Sequence, residues 1–344
     1  MNSALKSILN AQQTGLAAII LLLAVVLTVF AGSHPDPHSG EPINNFLNAY
    51  TLMQTATNAS FFAIMAVGAT VVIVAGRIDL STGSIYALSG VTMAMTLRAM
   101  EPHGMAAVGL GLLISVGVGL ACGLLNGAMT VLLGVHPFIV TLGTMWALRG
   151  VAFVVSRAES ILIPDALTDS VKSTMGLPEG LYPAPLLAMI AVTACGAVFL
   201  SRTVAGRHVY ALGGNFEASR HSGLRVGRIL IGVYAVSGLT AGFAAFLGSG
   251  YYGSAASADA TGYELYVIAS AVVGGTSLNG GKGSAVSATL GALLIVLIRQ
   301  SIATLRLDQN YEWIIIGCAI VAAVALDQVN ARRATRRMAE AIAK

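Results

Sequence analysis

Residues 106–133 read AAVGLGLLISVGVGLACGLLNGAMTVLL, an unbroken apolar run without one charged side chain. About 20 predominantly apolar residues suffice to cross a hydrocarbon layer of ~30 Å, because lipid offers backbone N–H and C=O groups no partner and a helix satisfies them internally. This run is long enough to cross with tilt. Within it Gly119, Gly123 and Gly127 recur at every fourth position and share one helix face, where small residues let a neighbouring backbone approach closely. Asn126 sits beside that stripe, placed either to hydrogen-bond another helix or to border a polar path.

Outward from this run the same pattern repeats at 15–32, 52–75, 82–98, 137–156, 183–201, 229–249, 264–279, 284–304 and 311–327. Of the 344 residues 56% are hydrophobic and 10% charged, against roughly a quarter charged in an ordinary soluble domain. Mean hydropathy is +0.79. The connectors are short, so residues 1–344 are expected to form a single all-α membrane domain, a polytopic helical bundle of about ten spans. The first run exceeds the ~7–15-residue apolar core of a signal peptide and is read as a retained span.

The charges orient the bundle. With the chain starting inside, Lys6, Arg77, the cluster Arg202, Arg207, Arg220, Arg225 and Arg228, Lys282, and Arg332, Arg333, Arg336, Arg337 and Lys344 all face the cytoplasm, thirteen of nineteen basic residues. Both termini are therefore expected to be cytoplasmic, with 33–50 and 157–182 outside. The basic tail, 328–344, is expected to rest on anionic lipid. The net charge of +4 thus reports topology and implies no nucleic-acid partner. Arg149, late in its run, is expected to snorkel to the outer interface. Cys122, Cys195 and Cys318 lie widely spaced in apolar runs and are read as packing residues, neither disulfide nor metal ligands.

Catalytic signatures are missing from the sequence. Neither H-E-x-x-H nor G-x-S-x-G occurs, and His34, Asp36 and His38 lie in a short proline-broken loop, so no metal site is expected. The nearest approach to a nucleotide-phosphate loop, Gly275 to Ser284, misplaces its lysine and follows it with glycine. Gly274, Gly275, Gly280, Gly281 and Gly283 are better suited to a tight or re-entrant turn. Asp79 is placed to cap the run starting at 82 together with Ser81. No carboxylate falls plainly at mid-span.

The longest cytoplasmic connector, 202–228, contains GRHVYALGGN at 206–215 and then FEASRHSG at 216–223. Asn215 is a good N-cap, Glu217 suits the positive end of a short helix, and Gly223 can take the left-handed conformation that ends it. A compact helix over about 215–222, between turns bearing Gly206, Gly214 and Gly223, is either a docking element or a solvated loop whose arginines fix topology.

This connector resembles the coupling segment of the ribose-type ABC importer permeases, with its Gly-Arg-His-x-Tyr-Ala-x-Gly-Gly-Asn start and Ala-x-Arg-x-Ser-Gly finish, here Ala218, Arg220, Ser222 and Gly223. Three further segments match in order. GRIDLSTGS at 76–84 resembles the Gly-Gly-Ile-Asp-Leu-Ser-x-Gly-Ser signature, bringing in Asp79, Ser81, Gly83 and Ser84. Asn126-Gly127 with PFIVTLGTM at 137–145 and Arg149-Gly150 resembles the central portion, and GYEL at 262–265 with VGGTSLNGGKG at 273–283 the late portion. Arg77 stands where the family usually has a second glycine and His136 where it often has proline. An ion pair between Arg77 and Asp79 is one reading of the first departure.

The resemblance, over roughly residues 50–327, implies a permease subunit of an ATP-driven importer for a monosaccharide or similar small polyhydroxylated solute in a bacterial inner membrane. It implies a cytosolic ABC ATPase carrying the ATP and Mg, a periplasmic or lipid-anchored sugar-binding protein, and a second permease chain in a homo- or heterodimer. No cofactor or covalent chemistry is expected on this chain. Asn126, Thr141 and Thr144 are candidates to border the path. The rival reading is an ATP-independent carrier or channel.

Overall fold

The computed structural model describes residues 3–35, 40–319, 321–322 and 325. Helix α1 (Ser3–Phe30) leads into a hairpin of β1 (Ser33–Pro35) and β2 (Pro42–Asn44), antiparallel with His34 opposite Ile43. Helix α2 (Ala49–Val74) starts where the Asn48 side chain accepts from Thr51 N at 2.8 Å. Then come α3 (Thr82–Met100), α4 (Met105–Leu132), α5 (Pro137–Ser156), β3 (Ile161–Leu162) and α6 (Asp165–Val171). Next are α7 (Ala184–Arg202), α8 (Val204–Gly214), α9 (Phe216–His221) and α10 (Val226–Tyr252). The series closes with β4 (Ser254–Ala255), paired antiparallel with β3, then α11 (Tyr263–Val273) and α12 (Ala285–Thr304), with residues 311–319 again helical.

Helix α2 is apolar on every face and forms the centre of the bundle, buried almost throughout from Thr55 to Val74. Helix α10 packs on it and pairs on its other side with α4, the backbones of α4 and α10 in contact. A Cβ on Gly119 would overlap Gly238 O, one on Gly123 would overlap Tyr234 O, and one on Gly127 would lie 2.6 Å from Ile231 Cα. The small-residue face read from the sequence is this seam, and Ser115 Oγ seals it by donating to Gly242 O at 2.7 Å.

Among the described residues seven helices are long and apolar enough to cross a membrane: α1 (over Gln13–Phe30), α2, α4, α5, α7, α10 and α12. Helix α3 has the length but carries Thr82, Ser84 and Ser89 and is largely buried in the bundle. The run at 264–279 does not form one continuous span. Helix α11 is 11 residues long, about 16 Å at ~1.5 Å per residue, and stops where Gly275 takes φ +92°. Leu22, Leu113, Trp146, Val154 and Ile190 project outward from α1, α4, α5 and α7, as lipid-facing surfaces require. Only Cys122 is buried; Cys195 and Cys318 face outward on helices and are not packing residues. Asp36, His38, part of the run 311–327 and the tail 328–344 lie outside the described residues.

Candidate functional site

The connector between α7 and α10 is two helices, not one. Thr203 caps α8, its Oγ1 accepting from Gly206 N at 2.9 Å. Gly206 permits the sharp corner, since a Cβ there would overlap Phe199 O. Val209 and Leu212 of α8 bury beside Val71, Val72 and Val74 at the end of α2. Tyr210 Oη donates to Gly283 O at 2.6 Å, and burial raises its phenol above the usual range, keeping it a donor. The sequence reading missed α8. Its signals were present in the Thr203 cap and the apolar pair Val209 and Leu212, three residues apart on one face.

Helix α9 matches its expectation. Asn215 Oδ1 accepts from Ala218 N at 2.9 Å, Glu217 occupies the first turn, Ser222 N donates to Ala218 O at 2.9 Å, and Gly223 N to Arg220 O at 3.2 Å. Gly223 ends the helix at φ +83°. Glu217, Arg220, Ser222 and Gly223 are exposed, as are Arg202, Arg207, Arg225 and Arg228 around them, so α9 stands on the surface within a basic field. Glu217 and His221 approach to 4.0 Å, an exposed pair of little consequence for stability.

Glycines weld this surface to the core. A Cβ on Gly213 would overlap Val74 O, and one on Gly280 would lie 2.7 Å from Gly213 O and 2.9 Å from Gly76 Cα. Gly281 packs on Gly214 and donates its N–H to Val74 O at 2.8 Å. Gly274 closes against Ser287 O, and Gly283 sits between Thr276 and Val74. The cluster at 274–283 is thus a tight turn joining α11 and α12 against the ends of α2 and α8, as expected of it.

From Gly76 the chain turns back into the bundle. Asp79 and Ser81 do not cap α3 as expected: Ser81 is its N-cap residue but makes no side-chain cap bond, and Asp79 Oδ1 instead accepts from Ser81 N at 2.9 Å and Ser81 Oγ at 2.6 Å in the turn just before the helix. Asp79 lies in the interior, 2% exposed, with Oδ2 accepting from Ser237 Oγ at 2.8 Å well inside α10. No carboxylate is expected plainly at mid-span, and Asp79 indeed lies in the connector between α2 and α3, but that connector carries it into the buried interior. Asn126 Nδ2 donates to Ser81 Oγ at 2.7 Å, so one polar network ties the α2–α3 connector to α4 and α10. Thr141 Oγ1 reaches Ile78 O at a long 3.5 Å, and Thr144 Oγ1 donates to Thr141 O at 3.2 Å on α5. Ser84 is buried one turn beyond Ser81.

Two arginine expectations are overturned. Arg77 makes no ion pair with Asp79, whose carboxylate is drawn inward; its guanidinium lies 5.2 Å from the centroid of the Phe216 ring, on the first residue of α9. Arg149 does not snorkel. Its Nη1 donates to Ser257 O and Asp259 O at 2.7 and 2.5 Å, and Nη2 to Ala260 O at 3.3 Å, clamping the 253–262 loop to α5. Gly83 must be small beneath that clamp, because a Cβ would lie 2.5 Å from both Ala260 O and Glu264 Oε2.

Residues 51–324 match the family described as branched-chain amino acid transport system / permease component. The chain belongs to this permease family. It is 34% identical over 311 residues to the D-allose transport system permease protein AlsC of Escherichia coli K12, covering 90% of each chain. It is 36% identical over 317 residues to the ribose import permease protein RbsC of the same organism, covering 92% of this chain and 93% of that one. With the galactose/methyl galactoside import permease protein MglC, also of Escherichia coli K12, identity is 31% over 340 residues, 95% and 98% of the two chains. The resemblance drawn from four ordered motifs is borne out along nearly the whole length. This is a permease component of ABC-type importers, a transport subunit and not an enzyme.

Proposed function

We propose that this permease moves a monosaccharide, or a similar small polyhydroxylated solute, across a bacterial inner membrane by alternating access, driven by a separate cytosolic ABC ATPase seated on α9. The reading rests on the near full-length similarity to permeases named for allose, ribose and galactose. The capped, exposed α9 in its basic surround is the surface suited to the ATPase. ATP binding then shifts the balance of conformers by favouring one of them.

The finer topology follows from charge. About ten spans are assembled from the seven long helices, buried α3, the short α11 with its turn, and the helix that begins at 311. Both termini lie in the cytoplasm, where the basic residues concentrate. A periplasmic or lipid-anchored binding protein delivers the solute at the end of the bundle remote from α9, and two permease chains enclose the path. ATP and Mg belong to the ATPase.

An ATP-independent carrier would put a buried ionisable group to work in coupling. Asp79 is such a group, but both its oxygens are engaged by serine. Co-purification with the candidate ATPase tests the docking. Wild type retains the ATPase through detergent extraction; a Glu217→Lys, Gly223→Pro double variant that still folds loses it. Equal retention by both removes α9 from the coupling role.

A further inference from the structure

At the end of the bundle remote from α9, two cavities share the side chains of Tyr252 and Tyr263. The larger, about 240 Å³, is bounded by α2, α10, α11 and α12, with Asn58, Phe61, Phe62, Arg299 and Gln300 in its wall. The smaller, about 80 Å³, continues past Tyr263 to Tyr86 and Asp259. We propose that this paired cavity is a monosaccharide-binding station within each permease chain, at the outer end of the bundle, where solute is held before it enters the path enclosed by the two chains. The inference rests on the sugar-permease reading above and assigns that reading a place in the fold.

The chemistry of the wall supports a neutral polyol. One side is aromatic: Phe62 and Tyr263 lie with centroids 4.5 Å apart, Tyr86 and Tyr263 6.1 Å, and Phe61 and Tyr252 6.0 Å. Ring faces pack against the C–H faces of a sugar, which water solvates poorly. The other side supplies amides and hydroxyls. Tyr252 Oη donates to Asn58 Oδ1 at 3.1 Å, which orients the Asn58 NH₂ group as a donor, and Gln300 is held through its Nε2 on Thr304 at 3.2 Å, leaving its carbonyl as an acceptor. A few convergent polar groups in an aromatic pocket are what orient a small ligand.

Both charged groups in the wall already have protein partners. Arg299 Nε faces Glu312 Oε1 at 3.4 Å, and Asp259 Oδ2 takes the Ala256 N–H at 2.8 Å. Arg299, ion-paired with Glu312, is not free to take an amino-acid carboxylate, whereas a sugar needs no charged partner. The volume accommodates one sugar ring, not a disaccharide.

The test is ATP-driven uptake by proteoliposomes holding permease, ATPase and binding protein, comparing D-ribose, D-allose, D-galactose and D-fructose with leucine. Asn58→Leu removes a donor and lowers sugar uptake by about tenfold, the equivalent of one to two hydrogen bonds. Ala303→Trp, at the exposed margin of the larger cavity, lowers hexose uptake more than pentose uptake. ATP hydrolysis stimulated by the binding protein persists in both, which separates a path defect from a folding defect. As a second readout, Asn58→Cys in a Cys122→Ala, Cys195→Ser, Cys318→Ser background reacts with an impermeant methanethiosulfonate, and the transported sugar slows that reaction. Wild-type rates and an unchanged pentose-to-hexose ratio in both variants, or labelling indifferent to sugar, overturn the station while leaving the permease reading intact. Uptake of leucine and no sugar by wild type overturns both.

Discussion

The guanidinium of Arg77 lies over the ring of Phe216, 5.2 Å from its centroid, joining the turn after α2 to the first residue of α9. Two residues along from Arg77, Asp79 anchors the network of Ser81, Asn126 and Ser237 inside the bundle. A displacement of α9 therefore has a direct physical route to the interior through a connector of a few residues. A cation over an aromatic face is worth about 0.5–2 kcal/mol depending on desolvation. Phe216→Leu removes it while keeping an apolar side chain. The expected outcome is sugar uptake per ATP hydrolysed falling by roughly fivefold, the effect of about 1 kcal/mol on a two-conformer balance, with the melting temperature almost unchanged.

Asp79→Ala orphans three donors, the Ser81 N–H and the Ser81 and Ser237 hydroxyls, in a site sealed from solvent. Each buried unsatisfied group costs about 1–3 kcal/mol. Thermal unfolding of the detergent-solubilised protein should show a large loss of stability for Asp79→Ala and a smaller one for Ser237→Ala, which removes one donor.

Gly213 and Gly223 separate two reasons for glycine. A Cβ on Gly213 meets the Val74 carbonyl, a backbone atom that cannot swing away, so Gly213→Ala should push α8 off α2 and expose the connector to limited proteolysis. At Gly223 nothing lies within 4 Å and only the left-handed φ of +83° is at issue. Gly223→Ala should cost about 1 kcal/mol and leave the connector resistant.

Arg149 forks between carbonyls of the 253–262 loop. Lysine keeps the charge but not the fork. Arg149→Lys is expected to loosen the loop, measured as faster amide hydrogen exchange across 254–261, whereas Arg98→Lys, on the exposed end of α3, leaves exchange there unchanged.

The legible parts of this chain were those governed by local chemistry. Apolar runs placed the ends of α2, α4, α5, α7 and α12 within a few residues, because hydrocarbon demands continuous apolar length. Helix α9 was legible because a cap, a first-turn acid and a terminal glycine all act over neighbouring residues. What escaped was set by distant partners. Arg77 turned to Phe216, on the far side of the sequence, and Arg149 turned inward because the 253–262 loop presents it with carbonyls, an arrangement no spacing reveals. Asp79 looked like a boundary cap since Ser237, which makes its burial tolerable, lies on α10. Helix α8 was overlooked because its glycines, read as turn formers, serve instead as close contacts with Val74 and Gly281.

The most direct test of the central claim is solute uptake by proteoliposomes containing this chain, its ATPase and its binding protein, with each component omitted in turn. A sugar-importer permease accumulates sugar above the outside concentration only when ATP, ATPase and binding protein are all present, and the Glu217→Lys, Gly223→Pro variant accumulates none. Equilibration of sugar across liposomes holding this chain alone, with no dependence on ATP, would contradict the account and establish a channel or carrier in its place.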